Sequence, residues 1–223
     1  MEVADLDWFY NENISKGIIT LSSDEARHLK VKRHYENERV CVFDGKGKVG
    51  VGKIVDKDKV EISEVKEFPR EDSLIIAAAV PKGERFDFML QKLTELNVSI
   101  IIPMRTKNSV VLPKNIARYK RILLEACKQC KRAWTPELKN LTEFSSVIKE
   151  KADNKLILDQ GGSKLKEIKG KTLVLIGPEG GFTEEEIKDA ESKGFVRVSI
   201  SKNTLRTETA AIAIAAIIQN GKY

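Results

Sequence analysis

The spacing of hydrophobic residues changes about one third of the way along the chain. Before the segment "EFPRED", residues 67–72, short apolar runs alternate with polar positions, as in "RVCVFDGKGKVGVGKIV", residues 39–55. Alternation of this kind predicts strands that bury one face, and the turn Asp44–Gly47 predicts a hairpin. Residues 22–34 fit one short helix with Ser22 or Ser23 as its N-cap. The pattern therefore predicts a small β-rich unit at the start of the chain.

After that segment the apolar residues form continuous runs, separated by stretches with helical spacing. "SLIIAAAV" and "VSIIIPM" predict strands that are buried on both faces, and Phe86, Met89, Leu90, Leu93 and Leu96 lie between them at helical spacing. Further strands are predicted at "KLILD", "TLVLIG" and "VRVSI", with helices between and after them. This alternation predicts an α/β fold, with a mostly parallel sheet covered by helices on both faces.

The segment "EFPRED" is the predicted boundary between the two regions, since Pro69 interrupts any continuing element. We therefore divide the chain into residues 1–69 and residues 70–223. The composition, 41% hydrophobic and 32% charged, is typical of a globular protein. No secretory signal is evident, and the longest apolar run, residues 210–218, is too short to cross a bilayer. We therefore expect a cytoplasmic protein that does not bind membranes.

Three cysteines cannot all pair, and two of them, Cys127 and Cys130, form a CxxC motif. Such a motif can bind zinc or carry redox chemistry. The surrounding sequence "RILLEACKQCKR" is strongly helical, and no second Cys or His pair supplies further ligands. We therefore expect two reduced thiols on a helix and no metal.

Positive charge is concentrated in the middle of the chain, whose formal net charge is +6 and whose pI is about 9.1. Within "PKNIARYKRILLEACKQCKR" the only acid is Glu125. A basic helix of this kind suits a polyanion such as RNA, but an ordinary solvated helix face has the same composition. The cations in and beside this helix are Lys114, Arg118, Lys120, Arg121, Lys128, Lys131 and Arg132.

A glycine-rich loop, "GPEGGF" at residues 177–182, connects the strand "TLVLI" to the following helix. Thr183 and Glu186 have the spacing of a capping box, so the helix is predicted to begin directly after the loop. The carboxyl ends of strands are where α/β sheets bind ligands. The loop has no lysine or arginine, and Glu179 would repel a phosphate, so the predicted ligand is neutral or positive. The alternative is a tight turn without a ligand, and the spacing does not match the GxGxxG of dinucleotide-binding folds.

A second loop, residues 201–205, precedes the last helix, which Thr204 or Thr207 can cap. Arg206 and Glu208 lie at the start of this helix, where the helix dipole favours a carboxylate. An ion pair of Arg206 with a neighbouring acid would be a purely structural role. The helix is rich in alanine, which predicts close packing in the core or in a subunit interface.

The two loop sequences "GPEGGFTEEE" and "LRTETA" together resemble the ribosomal small-subunit RNA uridine-N3 methyltransferases of the SPOUT (trefoil-knot) superfamily. "KGERFDFMLQKLTELNVSIIIPM" and "EACKQCKRAWTP" are similar to further segments of that family. The resemblance covers the whole chain and is weakest in the first third. Ser201 and Cys130 stand where the family often has glycine and serine.

The resemblance implies a PUA-like β-barrel domain at residues 1–69, a knotted methyltransferase domain at residues 70–223, a homodimer, and S-adenosyl-L-methionine as cofactor. The implied substrate is 16S ribosomal RNA, free or in the assembled small subunit. The expected cofactor-binding residues are Leu158, Ile176, Gly177, Glu179, Gly180, Gly181, Ile200, Ser201, Asn203, Leu205, Arg206, Thr209 and Ala210. The expected RNA-binding residues are Lys30, Lys32, Arg33, Lys82, Arg85, Lys114, Arg118, Arg121 and Arg132.

Methyl transfer to N3 of a uridine requires that the imide proton leaves. The resulting anion would be stabilised by a fixed cation, for which Arg206 is the candidate. Glu208 is the candidate base, with a capping or orienting role as the alternative. Two other functions stay open from the residues alone: a non-enzymatic RNA-binding protein with a structural glycine loop, and an α/β enzyme that uses another nucleotide.

Overall fold

The computed structural model describes residues 5–71, 73–113 and 115–220 of the chain. These residues form twelve strands and six helices, and none of the helices is long and apolar enough to cross a membrane. Every strand and helix predicted from the hydrophobic pattern is present, so the predicted α/β class is confirmed. Several short strands that the pattern did not indicate are present as well.

The chain forms two compact units, and each unit is made of two separate stretches of sequence. The assignment of residues 1–69 and 70–223 to domains of different function stays a prediction. A later segment, Leu124–Thr135, belongs with the first unit, although it is far from the rest of that unit in sequence. Over their described residues, the first unit is Met1–Arg70 with Leu124–Thr135, and the second is Glu71–Leu123 with Pro136–Tyr223.

The strands of the first unit are β1 (Trp8–Tyr10), β2 (Gly17–Thr20), β3 (Arg39–Phe43), β4 (Lys48–Asp56) and β5 (Lys59–Glu67). They form one sheet with the order β1-β3-β4-β5-β2. β1 pairs parallel with β3, and the other pairs are antiparallel. The predicted hairpin is confirmed, because β3 pairs with β4 across the turn Asp44–Gly47.

The helix of the first unit, α1 (Ser23–Val31), begins where its cap predicts. The Ser22 side chain accepts a hydrogen bond from the N–H of Glu25 at 3.3 Å, so Ser22 rather than Ser23 is the N-cap. Leu29 of α1 lies in a hydrophobic cluster with Phe9 of the sheet. This packing buries the apolar face of α1 against the strands.

The segment Leu124–Thr135 completes the first unit through a close approach at Gly47. This glycine has a φ of 102°, and a Cβ there would lie 2.6 Å from the ring of Trp134. The indole N–H of Trp134 donates a hydrogen bond to the carbonyl of Phe68 at 2.8 Å. Cys127 is fully buried in a cluster with Phe43. Only glycine fits at position 47, because a side chain there would occupy the space of the Trp134 indole.

The strands of the second unit are β6 (Leu74–Ala79), β7 (Ile100–Arg105), β8 (Glu137–Leu138), β9 (Thr142–Glu143), β10 (Asn154–Lys164), β11 (Thr172–Ile176) and β12 (Val196–Ser199). Their order is β12-β10-β11-β6-β7-β8, with β9 also paired to β7. All of these pairs are parallel, as predicted. Because the strands are parallel, their carboxyl ends meet at one edge of the sheet.

The remaining helices are α2 (Arg85–Glu95), α3 (Ile116–Cys130), α4 (Phe144–Val147), α5 (Glu184–Ser192) and α6 (Thr207–Asn220). They cover both faces of the sheet, as the sequence predicted. Along β6, Leu74 and Ile76 lie in one hydrophobic cluster with residues of α2 and α6, whereas Ile75 lies in another with residues of α4 and α5. Ala211 and Ile214 of α6 are fully buried in the first cluster, so this face packs in the core. The trefoil knot and the homodimer stay predictions.

Candidate functional site

The glycine loop after β11 is a tight turn that needs glycine at one position. The N–H of Gly181 donates to the carbonyl of Pro178 at 2.8 Å, and Gly181 has a φ of 66°, a region that L side chains rarely adopt. The predicted capping box is confirmed. Thr183 Oγ1 accepts from the N–H of Glu186 at 3.2 Å, and Glu186 Oε2 accepts from the N–H of Thr183 at 2.9 Å. The turn and the start of α5 therefore form one rigid piece.

The segment that follows β7 holds this loop from outside. The side-chain amide of Asn108 donates to the carbonyl oxygens of Gly180 and Gly181, at 3.2 and 3.1 Å. The backbone N–H of Lys107 donates to Glu186 Oε1 at 2.9 Å. Sequence reasoning missed this clamp, since no local pattern links an asparagine to a loop about 70 residues later.

The second loop, after β12, meets the glycine loop through Thr207. The buried Thr207 hydroxyl donates to the carbonyl of Gly177 at 2.9 Å. Within the second loop, Ser201 Oγ accepts from the N–H of Asn203 at 3.0 Å. The structure therefore brings together the two loops that the sequence singled out.

The prediction that Thr204 or Thr207 caps α6 is wrong. Thr207 is the first residue of α6, and its hydroxyl is used by the glycine loop. The Thr204 hydroxyl accepts a hydrogen bond from the side-chain amide of Gln160 at 2.7 Å. Neither hydroxyl is used to cap the helix. The Thr207 hydroxyl bonds to Gly177 after β11, and the Thr204 hydroxyl bonds to Gln160 of β10.

A third side of the site comes from β10, which continues beyond the predicted strand "KLILD" to Lys164. Asp159 Oδ1 lies 2.7 Å from Nε of Arg197, which fixes β10 to β12. Gly162 is required there, because a Cβ would lie 2.5 Å from the backbone of Val198. Asp159 directly follows an apolar run and ends the predicted strand "KLILD", and this polar residue is the signal that could have indicated this side.

These three segments enclose a cavity of about 280 Å³, here called the loop cavity. Eleven of the thirteen predicted cofactor-binding residues line it. Arg206 and Thr209 are exposed and are not among the lining residues. Thr207 and Ala210, three positions apart, do line the cavity, so their neighbours point elsewhere on the helix. The predicted residues in the lining are Leu158, Ile176, Gly177, Glu179, Gly180, Gly181, Ile200, Ser201, Asn203, Leu205 and Ala210.

Glu208 is 7% exposed, and its Oε2 has no hydrogen-bond partner among the described residues. Its Oε1 lies 3.9 Å from Nε of Arg85, and Nη1 of the same arginine lies 3.6 Å from Oε1 of Glu179. Arg85 therefore lies between a carboxylate of the glycine loop and a carboxylate of α6, at distances longer than a hydrogen bond. A structural ion pair between Arg206 and a neighbouring acid was one prediction. The arginine beside Glu208 is Arg85 instead.

The predicted RNA-binding residues are mostly on the surface of their own units. Lys30, Lys32, Arg33, Lys82 and Arg121 are exposed, whereas Arg85 and Arg132 are partly buried. Arg118 pairs with Asp87 at 2.6 Å while its side chain stays largely exposed. Lys114 lies outside the described residues.

One of the predicted RNA-binding lysines in the first unit has an acidic neighbour. Lys32 forms an ion pair with Asp7, which His34 also contacts at 2.8 Å. Burial alone would raise the pKa of Asp7, but hydrogen bonds from Lys32 and His34 hold that pKa below its usual value. Part of the positive charge predicted to meet RNA is therefore compensated within the protein.

The basic helix does not present all of its cations to solvent. Nζ of Lys128 is buried at 2.7 Å from Glu25 Oε1 and at 2.7 Å from Glu125 Oε1, within the first unit. The helix therefore combines structural and surface cations.

The CxxC motif shows neither a reactive thiol at Cys127 nor a set of metal ligands among the described residues. Burial raises the pKa of the Cys127 thiol to about 12, which makes it unreactive. No group of three or more His, Cys, Asp or Glu side chains within residues 5–71, 73–113 and 115–220 is arranged to hold a metal ion.

Comparisons with known proteins agree on one family. A family model described as an RNA methyltransferase domain matches residues 67–219, and one described as an RNA methyltransferase PUA domain matches residues 21–65. Ribosomal RNA small subunit methyltransferase E from Aquifex aeolicus is 33% identical over 95% of this chain and 98% of its own length.

Solved structures show the same relationship. The protein of the same name from Neisseria gonorrhoeae, bound to S-adenosyl methionine, has a TM-score of 0.87 and 31% identity, covering 96% of this chain and 97% of that one. A methyltransferase from Legionella pneumophila with bound S-adenosyl methionine has a TM-score of 0.86 and 31% identity, covering 97% and 98%. The first unit's predicted relationship to PUA domains is thereby confirmed.

Proposed function

The chain belongs to the family of ribosomal RNA small subunit methyltransferase E, and we propose that it transfers a methyl group from S-adenosyl-L-methionine to N3 of a uridine in 16S ribosomal RNA. The observation that carries this proposal is the meeting of the two family loops at Thr207 and Gly177, where the loop cavity opens. The relatives support the cofactor and the small-subunit RNA. The uridine and its N3 atom rest on the resemblance of the loop sequences.

The chemistry of the loop cavity fits this cofactor. Asp159 and Glu179 are the charged groups in its described lining, which contains no lysine or arginine. Hydroxyl groups, the side-chain amides of Gln160 and Asn203, and glycine backbone atoms supply hydrogen-bond partners for an uncharged nucleoside. S-Adenosylmethionine carries adenosine and a positive sulfonium without phosphate, whereas a dinucleotide would place two phosphates against these carboxylates. The bound cofactor would supply the electrophilic methyl group.

Two residues at the start of α6, Arg206 and Glu208, would provide the acid–base groups, although neither lines the loop cavity. The Oε2 atom of Glu208 is buried without a partner, so it can accept the imide proton of a uridine that reaches it. Arg206 is exposed beside this carboxylate in sequence and can present its guanidinium to the carbonyl oxygens of the deprotonated base. Because pairing occupies N3 in a duplex, the target uridine must be unpaired.

The cofactor part of the proposal is tested by calorimetry with the purified protein. We expect binding of S-adenosylmethionine and S-adenosylhomocysteine and none of NAD. Binding of NAD alone would support the alternative of an α/β enzyme that uses another nucleotide as its cofactor. Binding of neither would support a non-enzymatic RNA-binding protein.

The reaction is tested by mass spectrometry of ribosomal RNA from a strain that lacks the protein. We expect the loss of a single N3-methyluridine from 16S RNA and its return when the gene is restored. Incubating the purified protein with that strain's free 16S RNA, or with its assembled small subunits, identifies which of the two is the substrate. An unchanged set of modifications would contradict the proposal. The oligomeric state, measured by light scattering, tests the expected homodimer.

A further inference from the structure

A second concave site, here called the basic groove, adjoins the loop cavity. Its walls come from the segments after β6 and β7, and it shares Glu179 and Gly180 with the loop cavity. The residues that determine its character are Lys82, Arg85, Lys107, Asn108 and Val110. All of these residues lie in the second unit.

The electrostatics of the two sites are opposite. The basic groove has three cations, Lys82, Arg85 and Lys107, and one carboxylate, Glu179, in its lining. Lys82 is exposed, and among the described residues Nζ of Lys107 has one loose ionic contact, with Glu185 at 3.7 Å. The loop cavity, by contrast, has carboxylates and no cation in its described lining. The basic groove therefore suits an anion, whereas the loop cavity suits a cation.

The position of the basic groove relates it to the transfer reaction. A methyl acceptor and donor must be in near contact and in line. The two sites are separated only by the glycine loop at Glu179 and Gly180, so a nucleotide in the groove lies next to the loop cavity. Arg85 extends from the groove to within 3.9 Å of Glu208, the proposed base.

The walls of the groove also offer a surface for a base. Val110 is 78% exposed, so its apolar surface is open to contact with a base. Asn108 fixes the groove wall to the glycine loop through its two hydrogen bonds to Gly180 and Gly181. The groove thus combines phosphate-binding cations, an apolar contact for a base and a wall that is fixed to the glycine loop.

We propose that the basic groove binds the target nucleotide of single-stranded RNA, with Lys82 and Lys107 on its flanking phosphates and Val110 against a base. This proposal rests on the function proposed above. The nucleotide would enter with its base directed over the glycine loop toward Glu208, while its phosphates stay at the carboxyl ends of β6 and β7. The sequence had assigned Lys82 and Arg85 to RNA, but neither Lys107 nor Val110.

The test compares the variant Lys82→Ala/Lys107→Ala with Lys151→Ala in the full-length protein. Lys151 is an exposed lysine of the second unit that precedes β10, so it lies at the opposite edge of the sheet. Affinity for a single-stranded oligouridine RNA is measured over a range of salt concentrations. Calorimetry with S-adenosylmethionine shows whether each variant is folded.

For the double variant we expect at least tenfold weaker RNA binding, the factor that corresponds to one charge-assisted hydrogen bond. The negative slope of log affinity against log salt should become shallower by about 1.4, or 0.7 for each phosphate that a lysine no longer neutralises. Cofactor binding should be unchanged, and Lys151→Ala should match the unmodified protein. RNA affinity and salt slope equal to those of Lys151→Ala would overturn the proposal. These are binding measurements, so they test the basic groove even if the unmodified protein transfers no methyl group. A lack of methyl transfer would count against the proposed function and not against the groove.

Discussion

Two buried glutamates, one in each unit, stand in the first turn of a helix and have opposite surroundings. Glu25 is 5% exposed and is fully partnered, with Lys128 at 2.7 Å and the N–H of Tyr10 at 3.3 Å. Glu208 is 7% exposed, but one of its oxygens has no partner among the described residues and its nearest cation there lies at 3.9 Å. A buried polar atom without a partner costs free energy, so its retention points to a function. The comparison indicates a structural role for Glu25 and a chemical role for Glu208.

The largest effect is expected from Glu208→Gln, which keeps the size of the side chain and removes its basicity. We expect kcat for methyl transfer to fall by a factor of about 10² to 10⁴, the usual contribution of a general base. Cofactor affinity and the free energy of unfolding should change little, because Oε2 accepts no hydrogen bond from the described residues. Single-turnover kinetics with S-adenosylmethionine labelled in its methyl group measure the step. A decrease of less than threefold would leave Glu208 with only an orienting role.

The next effect concerns the cation that stabilises the deprotonated base. Arg206→Ala should lower kcat by at least about a hundredfold, as removal of one group that stabilises transition-state charge does elsewhere. Binding of S-adenosylmethionine should persist, since Arg206 does not line the loop cavity. Parallel assays of turnover and of calorimetric affinity separate the two effects. Unchanged turnover would remove Arg206 from the reaction and leave Arg85 as the nearest described cation to Glu208.

The matching change in the first unit, Glu25→Gln, should act on stability instead of catalysis. Removing one partner of a buried ion pair costs about 3 kcal/mol, the lower end of the usual range, because Glu125 still contacts Lys128. Urea unfolding measures this decrease, and cofactor affinity at low temperature serves as the control for the second unit. A stability equal to that of the unmodified protein would show that Glu125 alone satisfies Lys128.

A smaller effect is expected where the two loops meet. Thr207→Val keeps the shape of the side chain but removes the hydrogen bond to Gly177, which is worth about 1 kcal/mol. We expect cofactor affinity to weaken about fivefold, because the loops would no longer be held in one arrangement. Thr204→Val is the comparison, since its hydroxyl joins Gln160 at the outer part of the same site. Equal effects of the two variants would argue against a special role for the Thr207 contact.

The smallest effect is the pH dependence of the cluster around Glu25. Burial, and then the charge of Lys128, hold the pKa of His28 below its ordinary value. A lowered pKa in the folded state means that the unfolded chain binds the proton more readily. The free energy of unfolding should therefore be unaffected by His28 above the pKa of histidine in the unfolded chain, about 6.5. It should decrease as the pH falls below that value. Urea midpoints at several pH values should show this slope, and His28→Gln should reduce it.

Much of the fold was accessible from the sequence because the signals act over short distances. The capping box of Thr183 and Glu186 joins residues three positions apart, and the alternation along β6 sends adjacent side chains to opposite faces. Such features depend on local backbone geometry, so they survive without knowledge of the rest of the chain. The two loops that line the site were found for the same reason, together with the resemblance of their sequences.

Long-range contacts had no signal of this kind. Asn108 meets Gly180 across 72 positions, and Lys128 meets Glu25 across 103. The helix pattern placed Lys128 among surface cations, because periodicity gives the face of a residue without stating what covers that face. Arg85 was assigned to RNA on its charge, and its position between Glu179 and Glu208 follows only from the packing of α2 against α6.

The amino-acid sequence by itself determined the main helices and strands, the capping box of α5, the mostly parallel sheet and the two loops at its carboxyl edge. The tertiary structure decided which side chains meet there: Thr207 with Gly177, Arg85 with Glu208, and Leu124–Thr135 with the first unit. The physical reason is the range of the interactions. Backbone hydrogen bonds and hydrophobic periodicity are set within a few residues, whereas contacts between distant residues depend on how whole helices and strands pack.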